Sequence, residues 1–497
     1  MAILFRLVLT TALFLSALYS ENGVFFDVSM ASPDRGGKWI ENGELTPAAY
    51  ELLTAIRTDT TILCDKKRYG LARIDRYAER IGFDPEARTD LDTIFSDIEA
   101  LYRHDRQEGC FDPYAIFPDQ IGIEKRENNE TSRHVNVLLK RLEKALHFYE
   151  TIDKNGGWNI VKADFRLLKE GQSHRAVPAI KARLHVTGDY NLTADLNETY
   201  GPDLAEAVRI FQARHGLKAD GIVGPRTVEA LNIPVTEKIE KIRLNIERLR
   251  WLTDGNGDFV AANIPDYSLT LYRQERPVLT MKTVVGRRDR PTPMLSDTLT
   301  YAVLNPYWRA PKTIVEEDIL PKLRAGAFDY LDRVGIVAVE AADGNVTVDL
   351  RSVDWHRYES ENIPYIFLQK PGPHNYLGFV KFMFPNDFDV YIHDTSHDEL
   401  FEESDRARSS GCIRVEKPLE LFHALFNPHG DNGWRYKKIV RELMKREEKL
   451  VGLPDPLPVY ILYMTAYVDE NDRVRFLPDI YGYDRQMEEC LKSLNEY

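Results

Sequence analysis

At Gly255 the spacing of the apolar residues changes, and that change constrains the fold more than any other feature of the 497-residue chain. Before it, LTPAAYELLTAI, DLDTIFSDIEALYRH and RHVNVLLKRLEKALHFYETI repeat apolar residues every three or four positions, the period of an amphipathic helix. After it, ANIPDYSLTLYRQERPVLTMKTVVG alternates apolar and polar residues and is rich in β-branched types, as half-buried strands are. LTYAVLNPYW, VGIVAVEA, NVTVDLRSV, YIFLQK, GFVKFMFP and DVYIHDT continue in the same manner. The spacing predicts a multidomain α+β chain whose second half is a mainly β domain of roughly 240 residues.

Boundaries follow from the same texture. Residues 34–168 read as a helical scaffold without a chemical motif, and 169–233 as a small three-helix module. In the module Val177, Ile180 and Leu184 mark one helix, and Leu204, Val208 and Phe211 a second. Gly188 and Gly216 are placed to stop these helices, and Pro225 suits the first position of a third. Residues 234–254 contain an amphipathic linker helix. The β domain spans 255–490, with an inserted subdomain over 313–370 that starts with helical TIVEEDILPKLRAG. Near its end, Glu470–Asn471–Asp472 predicts a hairpin turn.

The formal charge of −13 argues against a nucleic-acid partner, because phosphate binding needs a basic surface. Residues 1–20 place Arg6 before an apolar run, with Ser16, Ala17 and Ser20 near a cleavage point. That is the shape of a secretory signal, or of an uncleaved anchor if Arg6 snorkels. Either puts most of the chain outside the cytoplasm, where Cys64 and Cys110 could pair.

ARSSGCIRV, residues 407–415, sets Cys412 behind two serines and a glycine, nineteen residues after His393 at the end of an apolar strand. A thiol is a strong nucleophile as thiolate, and an imidazole can take its proton. The small residues Ser409, Ser410 and Gly411 let backbone amides crowd the cysteine, donors that could hold an oxyanion. A lone cysteine can also be a small buried hydrophobe. His393 and His397 suggest a metal pair, but HxxxH shares a face only on a helix, and DVYIHDT reads as a strand. The nucleophile reading is preferred, with no metal and no cofactor.

Two stretches resemble known families. AVRIFQARHGLKADGIVGPRTVEALN resembles the peptidoglycan-binding type 1 repeat; its plain alternative is a spacer that has lost its ligand. The segment from His393 to Arg414 resembles the catalytic signature of the L,D-transpeptidases, the YkuD-type domain. VVGRRDRPTPMLSD resembles that family's glycine and T-P turn, and LNPYWRAP and GPHNYLGFVKFMFPNDFDVYIHDT resemble stretches before its histidine. The whole layout resembles the large YcbB-type branch of Gram-negative bacteria; many members of the wider family have a histidine where this chain has Ser410.

The resemblance implies a periplasmic enzyme in which Cys412 attacks the third residue of a peptidoglycan tetrapeptide stem and releases D-alanine. His393, oriented by a backbone carbonyl near Asp394, would be the base, the amides of Ser410, Gly411 and Cys412 would hold the oxyanion, and a second stem would resolve the thioester into a 3→3 cross-link. It implies substrate-binding roles for Tyr391, Asp394, Ser409, Arg414, Asn305, Trp308, Gly378 and Lys381, although packing suits Trp308 as well and bracing suits Arg414. It makes 313–370 a lid. Alternatives are an L,D-carboxypeptidase or endopeptidase with the same residues, or a non-catalytic wall-binding protein.

Overall fold

The computed structural model describes residues 38–123, 137–191, 196–252, 257–342, 344, 346–430 and 433–495. The signal or anchor expected at 1–20 lies outside them, and among them no helix is long and apolar enough to cross a membrane. The chain divides into two compact units: residues up to 58 with 66–102, and 59–65 with 103 onward.

In the first unit, helix Pro47–Thr58 buries Ala49, Leu53 and Ile56, one helical face. These pack with Ile74, Leu91 and Phe95 around Trp39. The helices expected to form one scaffold over 34–168 do not share that core. Helix Val137–Lys154 buries Leu142, Leu146 and Tyr149 in the core of the β domain in the second unit, where it packs against helix Val235–Arg250 and strand Ala466–Val468. Within the second unit a disulfide joins Cys64 to Cys110.

The three-helix module forms as expected, with helices Val177–Val186, Pro202–Arg214 and Pro225–Asn232. Its apolar positions, including Ile180, Leu184, Leu204, Val208, Phe211 and Leu231, make one closed core. Buried Gln212 explains the FQ…DGIVGP pattern. Its amide nitrogen donates to Ile222 O at 2.9 Å, and its carbonyl accepts from Gly221 N at 2.9 Å. The helix thereby holds the turn that starts the next helix, so this part of the motif is used by the fold itself.

Helix Val235–Arg250, expected as a linker, is a core element. Ile242, Ile246 and Leu249 are buried, but so are Asn245, Glu247, Arg248 and Arg250. Each of those residues has at least one polar partner, as burial requires. Asn245 bonds both the amide and the hydroxyl of Thr465 at 2.9 Å, Arg248 meets Asp484 at 2.6 Å, and Glu247 accepts from Cys110 N and Phe111 N. Arg250 donates to Thr61.

Nine strands build the β domain: β1 (Phe259–Asn263), β2 (Ser268–Arg273), β3 (Arg276–Gly286), β4 (Met294–Leu304), β5 (Val380–Met383), β6 (Ile392–His393), β7 (Ala407–Ser409), β8 (Ile413–Val415) and β9 (Lys449–Leu462). The pairing order is β5-β6-β8-β3-β2-β1-β9-β4, and β4 also pairs with β5, which closes a barrel. Closure leaves no free edge among these eight strands. β7 pairs with β3 outside this path, and Ile121–Gly122 pairs with β4. The expected hairpin turn lies between Ala466–Val468 and Val474–Phe476.

Between β4 and β5 the chain makes a separate layer, a four-stranded sheet with helical segments over 312–324 and Phe328–Val334. Its core holds Trp308, Leu320, Leu323, Leu331, Trp355 and Phe367. The insertion begins a little earlier than expected: Trp308 and Arg309 pair with Gln369 and Leu368 and zip its two ends together. Helices Tyr436–Met444 and Tyr483–Asn495 were not anticipated from the pattern.

Candidate active site

The short parallel pairing of β6 with β8 sets Ile392 beside Ile413 and His393 beside Arg414. Neighbours in register share a face of the sheet, and the next residue along faces the other way. Ile392 and Ile413 are fully buried in the barrel core. His393 and Arg414 therefore point away from it, as do Tyr391 and Cys412 two residues earlier on each strand. On the other side of β6, Lys381 of β5 pairs with His393. Three strands thus bring Lys381, Tyr391, His393, Cys412 and Arg414 to one face. Diagonal neighbours on such a face lie about 7–8 Å apart at the backbone, within reach of an aromatic ring. The Tyr391 and His393 rings meet edge-on at 5.5 Å, and Lys381 Nζ lies 5.5 Å from the Tyr391 ring.

His393 Nδ1 lies 2.5 Å from the carbonyl oxygen of Asp394. A carbonyl can only accept, so Nδ1 carries the proton and Nε2 keeps its lone pair. Burial pulls the imidazole down to about 3, helped by the positive Arg414 and Lys381. Burial likewise pushes the Cys412 thiol up to about 11. The resting pair is therefore a neutral thiol and a neutral base. The thiol lies 3.7 Å from Asp389 O, and burial beside Cys412 keeps the Tyr391 phenol protonated.

The turn before the cysteine is held from two directions. Ser409 Oγ donates to Cys412 O at 2.6 Å and accepts from Gly411 N at 3.2 Å. Gly411 has φ +115, where a side chain would be strained. Thr292 Oγ1 donates to Gly411 O at 2.7 Å and accepts from Gly286 N at 2.8 Å. Tyr481 closes this bracket by donating to Gly286 O at 2.5 Å. With Gly411 N turned to Ser409, the amides of Ser410 and Cys412 are the two in the turn with no acceptor among the described residues.

The other expected site residues make the following contacts within the fold. Asp394 is buried and accepts from Phe379 N and Thr395 N at 2.7 Å each, which occupies the carboxylate, pushed up to about 6 by burial. Gly378 sits against it: a Cβ there would lie 2.3 Å from the Asp394 carboxyl. Asn305, buried with φ +49, donates to Glu442 O and Glu447 O. Trp308 is in the core of the inserted layer, edge-on to Tyr376 at 5.0 Å. His397 turns to Glu399 at 3.0 Å rather than toward His393. Gly286, Thr292 and Tyr481 were not named as site residues from sequence; the first two lie in the quoted VVGRRDRPTPMLSD stretch, and their partners Tyr481 and Gly411 O are 195 and 119 residues away.

Residues 257–426 match the family model of the L,D-transpeptidase catalytic domain, YkuD. These residues form an L,D-transpeptidase catalytic domain. The L,D-transpeptidase domain contains every residue of the Cys412 face and the inserted layer. Residues 173–231 match a putative peptidoglycan-binding domain. Over 249 residues the chain is 37% identical to a putative L,D-transpeptidase of Haemophilus influenzae, covering 50% of this chain and 49% of the relative. It thus spans about half the length of that curated relative. The chain is also similar to two solved L,D-transpeptidase structures. One, from Xylanimonas cellulosilytica, is 15% identical with TM-score 0.20, covering 61% of this chain and 100% of the other. The second, from Stackebrandtia nassauensis, is 11% identical with TM-score 0.22, covering 59% and 94%.

Proposed function

We propose that the protein is an exported L,D-transpeptidase that joins peptidoglycan stems by 3→3 cross-links through a Cys412 thioester. The observation that carries this reading is the placement of a free thiol and an imidazole on one sheet face, with Nδ1 committed to Asp394 O. In the first half-reaction Cys412 Sγ attacks the carbonyl of the third stem residue while His393 Nε2 takes the thiol proton. The amides of Ser410 and Cys412, with that of Gly411 if it leaves Ser409, hold the oxyanion. Collapse breaks the peptide bond, and the departing D-alanine amine takes the proton from His393. In the second half, the side-chain amine of another stem attacks the thioester, gives its proton to His393 and restores the thiol.

A neutral resting pair suits this order, because the proton moves only when a carbonyl is in place. Lys381 and Arg414 supply positive charge on the Cys412 face, suited to the carboxylates of the stem. Arg414 is the more telling, since burial lowers its proton affinity and its Nε has no partner among the described residues. The module over 173–231 is proposed to hold the wall. The Cys64–Cys110 bond supports an oxidising compartment such as the periplasm.

Incubation of the protein with a purified disaccharide-tetrapeptide, with and without an amine acceptor, tests the reading. A cross-linked dimer and free D-alanine are expected with acceptor. Tripeptide alone under both conditions assigns a carboxypeptidase instead. An unchanged product pattern in Cys412→Ala contradicts catalysis by this residue.

A further inference from the structure

One side chain ties the inserted layer to the nucleophile turn. Arg290 lies in the loop between β3 and β4, its side chain only 9% exposed. Its Nη2 pairs with Glu317 and its Nη1 meets Asp318 at 2.8 Å, both in the π-helical turn Val315–Ile319 of the inserted layer. The same Nη1 donates to Ser410 Oγ at 3.2 Å. The Arg290 backbone is fixed from below, since its amide donates to Arg287 O and Arg287 N donates to Ser409 O, both at 2.9 Å.

We propose that Arg290 is a positioning residue that couples closure of the inserted layer to the geometry of the 409–412 turn. The guanidinium is a rigid planar fork, so it cannot release Glu317 and Asp318 without changing its contact to Ser410. Arg290 Nε is buried and has no partner among the described residues. That group regains water when the layer lifts, which opposes the carboxylate contacts. Both carboxylates are partly exposed, at 53% and 39%, so each ion pair is individually weak. Opposed, weak contacts make a reversible latch rather than a permanent strut. The closed layer and the ordered turn then occur together.

This rests on Cys412 being the nucleophile, but its test does not need turnover. Hydrogen–deuterium exchange is followed on the full chain for wild type, Arg290→Met, the double variant Glu317→Gln/Asp318→Asn, and the triple combination. The double variant should speed exchange in 312–324, and also in 405–415 by about fivefold, as for a lost local contact. In the Arg290→Met background the two carboxylate changes should add nothing over 405–415. Arg290→Lys keeps a charge but not the fork, so it should protect 312–324 more than it protects 405–415. It also serves if Arg290→Met does not fold. A double variant that loosens 312–324 and leaves 405–415 unchanged, or effects that simply add, overturns the proposal. The adduct on wild-type Cys412 is read by mass spectrometry in parallel. Its absence removes the transpeptidase reading, while the exchange data still decide the latch.

Discussion

Thr292 and Gly411 are joined by a 2.7 Å hydrogen bond between loops 119 residues apart in the chain. The Thr292 hydroxyl also receives the Gly286 amide, so one side chain fixes two backbones next to the cysteine. Thr292→Val keeps the shape and removes both bonds. Buried groups left unpaired in this way cost about 1–3 kcal/mol. Thermal unfolding should show that loss, and kcat should fall by at least about tenfold while Cys412 stays intact.

Gly286 is held to glycine by crowding rather than by its φ angle. An added Cβ would lie 2.3 Å from Arg290 O and 2.5 Å from Thr292 N, both backbone atoms that cannot swing aside. Gly286→Ala should destabilise by about 1–3 kcal/mol, as overpacking does. Gly188→Ala in the three-helix module has open space around it but a φ of +74. It should cost stability through backbone strain alone and leave thioester formation unchanged. Equal activity losses in the two variants would contradict this distinction.

The neutral thiol–imidazole pair makes a prediction about pH. With the thiol at about 11, about one molecule in ten thousand is thiolate at pH 7. The rate of Cys412 alkylation by iodoacetamide should therefore rise about tenfold per pH unit up to pH 9. A plateau below pH 7 would point to a preformed thiolate–imidazolium pair. The sign for stability is also set. His393 titrates lower when folded, at about 3, than its ordinary 6.5, so between these values the unfolded chain binds the extra proton. That contribution destabilises the fold as pH falls below 6.5 and is absent above it. His393→Gln should be less acid-sensitive than wild type, by up to about 1.4 kcal/mol per pH unit in that window.

Much of the architecture was legible because period carries it. The change at Gly255 separated helical from β regions, and the two glycines and Pro225 bounded the module helices. The link drawn between His393 and Cys412 came from the small residues before the cysteine and, decisively, from the resemblance to the transpeptidase signature. What the pattern could not show was sheet register. Lys381, His393 and Arg414 share a face only because β5, β6 and β8 are adjacent, and adjacency across long loops leaves no periodic trace. The same blindness made helix Val235–Arg250 look like a linker. Its buried Asn245, Glu247 and Arg248 read as solvent-facing until Thr465, Cys110 and Asp484 are brought to them. Nor did the pattern show that Asp394 and Ser409 bond neighbouring backbone, or that Asn305 Nδ2 donates to Glu442 O and Glu447 O.

Gln212 offers a separate test of the module. Gln212→Leu fills the same space but releases Gly221 N and Ile222 O. Hydrogen exchange over 216–227 should accelerate, while alkylation of Cys412 keeps its wild-type rate. Binding to isolated peptidoglycan sacculi should weaken with the loss of that turn; unchanged exchange would contradict the clamp.

The central claim is that Cys412 carries the acyl group, with His393 as its base. Intact-protein and peptide mass spectrometry after brief incubation with a disaccharide-tetrapeptide measures it directly. The account predicts an adduct on the peptide containing Cys412, equal in mass to the substrate less D-alanine, cleavable by hydroxylamine and strongly reduced in His393→Gln. D-Alanine released without any adduct in Cys412→Ala, or an adduct mapped to Cys490, the other free cysteine, would contradict it.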